Sequence, residues 1–240
     1  MNSFFVMIDG LDGSGKGTVV NALKVHLEKT KKVFDLRDYE KEKNDIPECE
    51  EVKDYDILIS CEPTYSCIGR MIREEIVRDN NRKYSALTTA HAFALDREIL
   101  YRKLIIPALH QGKTVIQERG VVTSLVYQPV QHERLTLMDI MNIPGNRLAL
   151  ENPPNVLIIT QVSPDIVIQR LKQREHKKDN AIVEELVFQR KIAERYESAW
   201  LKQLFESKKS KVVYLNTENN SEEETKQKAI ELWDALRKEK

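Results

Sequence analysis

The stretch Phe4-Phe5-Val6-Met7-Ile8-Asp9-Gly10-Leu11-Asp12-Gly13-Ser14-Gly15-Lys16-Gly17-Thr18 decides the fold. Its first part is an apolar run of strand length, and the rest is a glycine-rich turn carrying a lysine. From Lys16 to Glu28 the apolar residues Val19, Val20, Leu23 and Leu27 recur at helical spacing. That order of strand, loop and helix gives the turn a chemical meaning. Glycines at 10, 13 and 15 let the backbone curl and present its N–H groups to an anion with no Cβ in the way. The helix adds its positive N-terminal end, and Lys16 can bridge the β- and γ-phosphates of ATP. Gly10, Gly13, Ser14, Gly15, Lys16, Gly17 and Thr18 are therefore the expected ATP-binding residues. The strict motif places a hydroxyl directly after the lysine for magnesium. Here Gly17 stands there and the hydroxyl comes one residue later, so Thr18 is the expected metal-side residue.

Further β patterns follow near Lys32–Leu36, Ile57–Cys61, Thr114–Gln117, Val156–Gln161 and Lys211–Leu215. Helical spacing marks Ile68–Val77, Thr88–Leu109, Pro164–Arg174, Glu184–Phe205 and Ser221–Arg237. Strands that alternate with helices predict a mainly parallel sheet with helices on both faces. The expected fold is thus α/β, the three-layer phosphate-loop (P-loop) NTPase arrangement, in a single domain over 1–240. Residues 37–56, rich in Asp and Glu, read as a surface insertion. Residues 175–183, which begin with the polar run Glu175-His176-Lys177-Lys178-Asp179-Asn180, read as a short lid over the phosphate site or as a solvated turn.

Acidic and basic residues balance at 38 each, so no global field draws the chain to nucleic acid or to an anionic membrane. A small-molecule partner is expected. Cys49, Cys61 and Cys67 form no C-x-x-C pair and are odd in number, which suits a reducing compartment and points to the cytoplasm. No stretch has the composition of a signal segment or a membrane span. The chain also lacks an Asn-Lys-x-Asp guanine reader, while Arg73, Arg97, Arg119 and Arg174 stand where a second anion could be held.

At these residues the chain resembles the thymidylate kinase family of P-loop nucleoside monophosphate kinases, from the first strand to about Tyr196. Phe5–Thr18 is similar to its strand and phosphate loop, with the acidic residue at Asp12. Glu62-Pro63-Thr64 with Gly69 and Ile72-Arg73 is similar to its Arg-Glu-Pro segment and later Ile-Arg. Phe93-Ala94-Leu95-Asp96-Arg97 with Ile106-Pro107-Ala108-Leu109 resembles its Ala-Asp-Arg helix. Thr123–Gln128 resembles its Ser-Ser-x-x-Tyr-Gln segment, and Val162-Ser163-Pro164-Asp165 resembles its Val-Asp-Pro-Glu turn. Three segments depart from the pattern. The family's arginine is Cys61 here, its Asp-Arg-aromatic triplet is Glu118-Arg119-Gly120, and its strand-end Asp is Gln161.

The resemblance implies an ATP-dependent phosphotransferase acting on dTMP in deoxynucleotide biosynthesis, with magnesium as cofactor, working as a homodimer. It implies that Asp12 receives the sugar 3′-hydroxyl, Arg73 reaches the base, Arg97 clamps the acceptor phosphate, and Glu62, Tyr127 and Gln128 line the acceptor pocket. A planar guanidinium suits a phosphate in two parallel hydrogen bonds, which supports the role of Arg97. Lys16, Asp12, Arg97 and Arg174 are the expected catalytic residues, with Arg174 supplying a cation from the lid beside Lys177 and Lys178. Thr18 and Glu118 are the expected metal residues. Three other readings stay open. They are a deoxynucleoside kinase using Glu62 as base, a kinase for another deoxynucleoside monophosphate, and a non-catalytic nucleotide-binding module.

Overall fold

A computed structural model describes residues 3–78, 80–131, 135–172 and 179–238. In chain order the elements are β1 Phe4–Gly10, α1 Lys16–Glu28, β2 Val33–Asp35, α2 Leu36–Lys43, a 3-10 turn Cys49–Val52, β3 Ile57–Cys61 and α3 Cys67–Met71. A wide turn Ile72–Ile76 leads toward α4 Ala86–Leu100, which runs through a second wide turn, Tyr101–Ile105, into α5 Ile106–His110. There follow β4 Thr114–Glu118, α6 Val121–Gln131, α7 Leu137–Asn142, α8 Pro144–Glu151, β5 Val156–Gln161, α9 Pro164–Lys172, α10 Asp179–Tyr196, α11 Ala199–Ser207, β6 Lys211–Asn216 and α12 Glu222–Lys238. The described residues form a six-stranded sheet in the order β2-β3-β4-β1-β5-β6, with all pairings parallel.

The alternation of β1 shows how both faces are filled. Phe4, Val6 and Ile8 pack with Val19, Val20, Leu23 and Leu27 of α1 and with Ala229, Trp233 and Leu236 of α12. Phe5 and Met7 face the other side, where Leu100 to Ala108, the α6 valines and Phe205 close over them. With both faces covered, β1 is buried throughout, so its apolar run continues without polar breaks until Asp9. The wide turn at Tyr101–Ile105 precedes Pro107, which has no N–H to donate to the preceding turn.

The six strands lie where the sequence places them, but several helices were not legible in it. Among these, α2 begins at Leu36 and runs into the stretch 37–56, expected as a surface insertion, which is exposed over most of its length but sends several side chains into the core. Asp35 caps α2 by accepting from the Arg37 N–H, and Leu36, Ile46, Cys49 and Val52 are all buried in the core. Glu184–Phe205, expected as one helix, is two elements that part at Glu197-Ser198. Arg174 and residues 175–178 of the expected lid lie outside the described residues; 179–183 begin α10. No helix among the described residues is long and apolar enough to cross a membrane.

If 37–56 is part of the core, Ile46→Ala removes a side chain that is 2% exposed and leaves a cavity. A loss of about 2–5 kcal/mol in unfolding free energy is expected by urea denaturation, where a surface site gives a change within about 0.5 kcal/mol.

Candidate functional site

The loop after β1 is held on every side. Gly13 and Gly15 have φ of 75° and 87°, a left-handed backbone that L side chains rarely adopt. Ser14 Oγ and Thr160 Oγ1 share a hydrogen bond of 2.6 Å, and Thr217 Oγ1 donates to the Ser14 carbonyl. Arg170 of α9 donates to the Gly13 carbonyl at 2.9 Å. Lys16 Nζ donates to the carbonyls of Gly10 and Leu11 at 3.0 and 2.6 Å. Burial, and then the charge of Arg119, pull the Lys16 ammonium down to about 8.

Behind the loop stands a carboxylate not singled out in the sequence reading. Asp9 is fully buried and accepts from the Gly10 N–H at 2.8 Å, from Thr123 Oγ1 with both oxygens, and from Tyr196 Oη at 2.8 Å. It ties the first loop residue to α6 and α10. The only local signal was a carboxylate at the end of an apolar strand.

A cavity of about 440 Å³ opens beside the loop, lined among others by Asp12, Arg73, Phe93, Arg119, Tyr127 and Gln128. Asp12 and Arg119 are ion-paired across its edge. Burial favours the neutral acid at Asp12, but the charges of Arg119 and Lys16 outweigh it and hold the carboxyl below its ordinary value. Arg119 has φ of 62°, and its N–H donates to the Ile8 carbonyl, so a positive-φ backbone directs this guanidinium over the loop. Gln128 is buried, and its Oε1 has no hydrogen-bond partner among the described residues. Arg73 donates to the carbonyls of Pro63 and Thr64 and lies 3.9 Å above the Tyr65 ring, which fixes its approach to the cavity wall. Another cavity, of about 500 Å³, lies by Ile57 and Thr114 at the opposite ends of the strands, away from the loop.

The structure separates residues that the resemblance groups together. Arg97 and Glu62 do not line the cavity. They form a buried pair at 2.6 Å behind it, where Arg97 also donates to Asn146 and Ser124, and Gln117 donates to Glu62 at 2.8 Å. Burial pushes the Glu62 carboxyl up, with Arg97 opposing. In this arrangement the two side chains face each other and their neighbours, and Arg97 Nε has no hydrogen-bond partner among the described residues. Asp96 holds the turn after β3 by accepting from the N–H and hydroxyl of Thr64. Glu40 of α2 supports the same turn from beneath, accepting from the Tyr65 N–H and from Ser66 Oγ.

Of the metal-side residues, Glu118 places both carboxylate oxygens 3.8 and 3.9 Å from where a Cβ on Gly17 would stand. Thr18 follows in the first turn of α1. No group of three or more His, Cys, Asp or Glu among the described residues could hold a metal alone. One carboxylate and one hydroxyl are hard oxygen donors, which suits magnesium that takes its other ligands from phosphate and water. At Gly120 a Cβ would lie 2.6 Å from Met7 Cε, the end of a flexible side chain that would have to shift.

A family model described as thymidylate kinase matches residues 47–229. The thymidylate kinase of Aster yellows witches'-broom phytoplasma is 34% identical over 145 residues, 60% of this chain and 69% of that protein. The thymidylate kinase of Caldicellulosiruptor saccharolyticus is 29% identical over 194 residues, 80% of each chain. In fold, the chain is similar to the crystal structure of thymidylate kinase from Ehrlichia chaffeensis, with a TM-score of 0.65 over 98% of this chain and 100% of that one at 17% identity.

Two outcomes follow from the geometry. Arg97→Ala leaves the Glu62 carboxyl buried without its cation, and calorimetric or urea unfolding is expected to show a loss of about 3–5 kcal/mol. Because Lys16 titrates at about 8 and a bound phosphate favours its charged form, triphosphate affinity is expected to fall as pH rises above 8. Titration of a fluorescent ATP analogue between pH 7 and 9.5 checks this, with a decline approaching about tenfold per pH unit at the alkaline end.

Proposed function

The chain belongs to the thymidylate kinase family, and from that premise we propose that it transfers the γ-phosphoryl group of ATP to dTMP, yielding ADP and dTDP. The observation that carries the reading is the Asp12–Arg119 pair, which joins the phosphate loop to the cavity that Arg73, Tyr127 and Gln128 line. A monophosphate oxygen is already anionic at neutral pH, so the reaction needs alignment and charge neutralisation rather than a strong base. In this reading Lys16 holds the β- and γ-phosphates, Arg119 neutralises charge between donor and acceptor, and Asp12 accepts from the acceptor sugar. The Oε1 of Gln128, which has no hydrogen-bond partner among the described residues, accepts a donor of the acceptor nucleotide, and Arg73 flanks the base. Arg174 adds a further cation, as the resemblance implies.

Glu118 and Thr18 would hold magnesium. When bound, the ion screens the charge of the transferring phosphates. A nucleoside acceptor would instead need a base at its hydroxyl. Glu62 offers none, since its carboxylate lies behind the cavity on Arg97 and Gln117. The chain acts, in this reading, as one kinase domain over 1–240 in a reducing compartment, the cytoplasm. It works as a homodimer through the helices of Thr88–Leu109 and Val121–Met138, where Leu95 and Met138 are exposed; light scattering at micromolar concentration reports the mass.

A coupled ADP-release assay against dTMP, dUMP, dCMP, dGMP and thymidine tests the activity. Preference for dTMP is expected, whereas preference for thymidine, or no acceptor-dependent release, overturns the reading. Arg119→Ala is expected to lower kcat with dTMP by about 10²–10³-fold, the scale of removing a charge-stabilising donor.

A further inference from the structure

Outside the acceptor cavity, α2 brings a second set of charged groups to the end of the sheet. Arg37, its second residue, is held with unusual completeness for an arginine. Its Nε and NH2 donate to the two oxygens of Asp35 at 2.9 and 2.8 Å, and NH2 also donates to Asn21 Oδ1 of α1 at 2.9 Å. The backbone N–H of Arg37 donates to the same Asp35 carboxylate, and Lys24 of α1 adds an ion pair to it at 2.9 Å. Only NH1 is left, and it faces Glu118 Oε2 at 3.5 Å. Side-chain exposure is 13% for Arg37, 5% for Asp35 and 21% for Glu118, so this chain of charges is screened less than a surface pair.

We propose that Arg37 is a positioning residue for Glu118, delivered by α2 so that the carboxylate stays aimed at Gly17 and takes up magnesium together with the nucleotide. The inference rests on the kinase reading and deepens it. Glu118 stands where the family pattern has Asp, and its additional methylene adds a torsion that must be ordered before the carboxylate can serve. A donor fixed by α1 and β2, independently of β4, selects that rotamer. Asp35 pairs with Nε and NH2 of Arg37, which leaves the NH1 N–H directed at Glu118. The same guanidinium lies near enough to Cys61 for its charge to act on the thiol. The end of β3, which lacks the family's arginine, thereby regains a guanidinium from a different element. Outer partners of this kind commonly govern metal affinity through the ligand they orient.

Manganese serves as the probe, titrated into the ADP complex and followed by the electron paramagnetic resonance of the free ion. Arg37→Ala is expected to weaken manganese binding roughly tenfold, with metal-free ADP affinity unchanged. In a Glu118→Gln background, Arg37→Ala is expected to cause no further loss, because Arg37 acts through Glu118. Equal or tighter manganese binding by Arg37→Ala, or additive losses in the double variant, overturns the proposal. Asp35→Asn, which keeps Arg37 but loosens its clamp, carries the test if Arg37→Ala does not fold; it is expected to weaken manganese in the same direction, and an unchanged affinity overturns the proposal. This readout needs no phosphoryl transfer, so absent dTMP turnover in the wild-type protein would count against the kinase reading alone.

Discussion

A carboxylate sealed from water at the end of the central strand organises this site. Among the described residues the oxygens of Asp9 accept from the Gly10 N–H and from the hydroxyls of Thr123 and Tyr196. A buried charge is tolerated only when such bonds replace its water, so the three donors are bound to that position as strongly as the carboxylate is bound to them. Gly10 opens the phosphate loop, Thr123 lies on α6, and Tyr196 ends α10. The walls of the cavity thus take their places from the same atoms that start the loop, and the phosphate and acceptor sides are built on one anchor.

From that anchor outward, charge is arranged in two layers. The inner layer is buried and closed: Glu62 with Arg97, and Asp96 with Thr64. It shapes the turn after β3 and keeps its polar atoms from solvent. The outer layer borders the loop and the cavity and comprises Asp12, Arg119 and Arg73, with Lys16 buried beside them, where burial first and then the charge of Arg119 lower it to about 8. Such separation is physically economical. Buried pairs are kept from solvent by the side chains around them, whereas groups held near an ion of opposite sign at a cavity edge can exchange partners when one arrives.

Much of the architecture was legible because it is local. The buried run of β1, the glycines of the loop and the spacing of Val19, Val20, Leu23 and Leu27 are properties of neighbouring residues, and they predicted a parallel sheet with a phosphate loop at its centre. The stretch 37–56 was only partly legible, for the complementary reason. Its composition is acidic and polar, and nothing nearby in sequence reveals that Ile46, Cys49 and Val52 meet a core contributed by distant segments. Likewise α6, with Pro129 inside it, presents a weak local pattern and depends on β1 and α10 for its burial.

The candidate site divides along the same line. Sequence alone determined that this chain carries a strand, a phosphate-binding turn with Lys16 and a following helix, and which arginines and carboxylates were available to act. Only the tertiary structure decided that Arg119 rather than Arg97 faces the cavity, that Glu62 is locked behind it, and that Arg37 reaches Glu118 from a helix 81 residues earlier. The reason is physical. Backbone conformation and hydrophobic periodicity are set within a few residues, but the direction of a long charged side chain is set by which partners the fold brings within about 3 Å of it, and those come from anywhere in the chain.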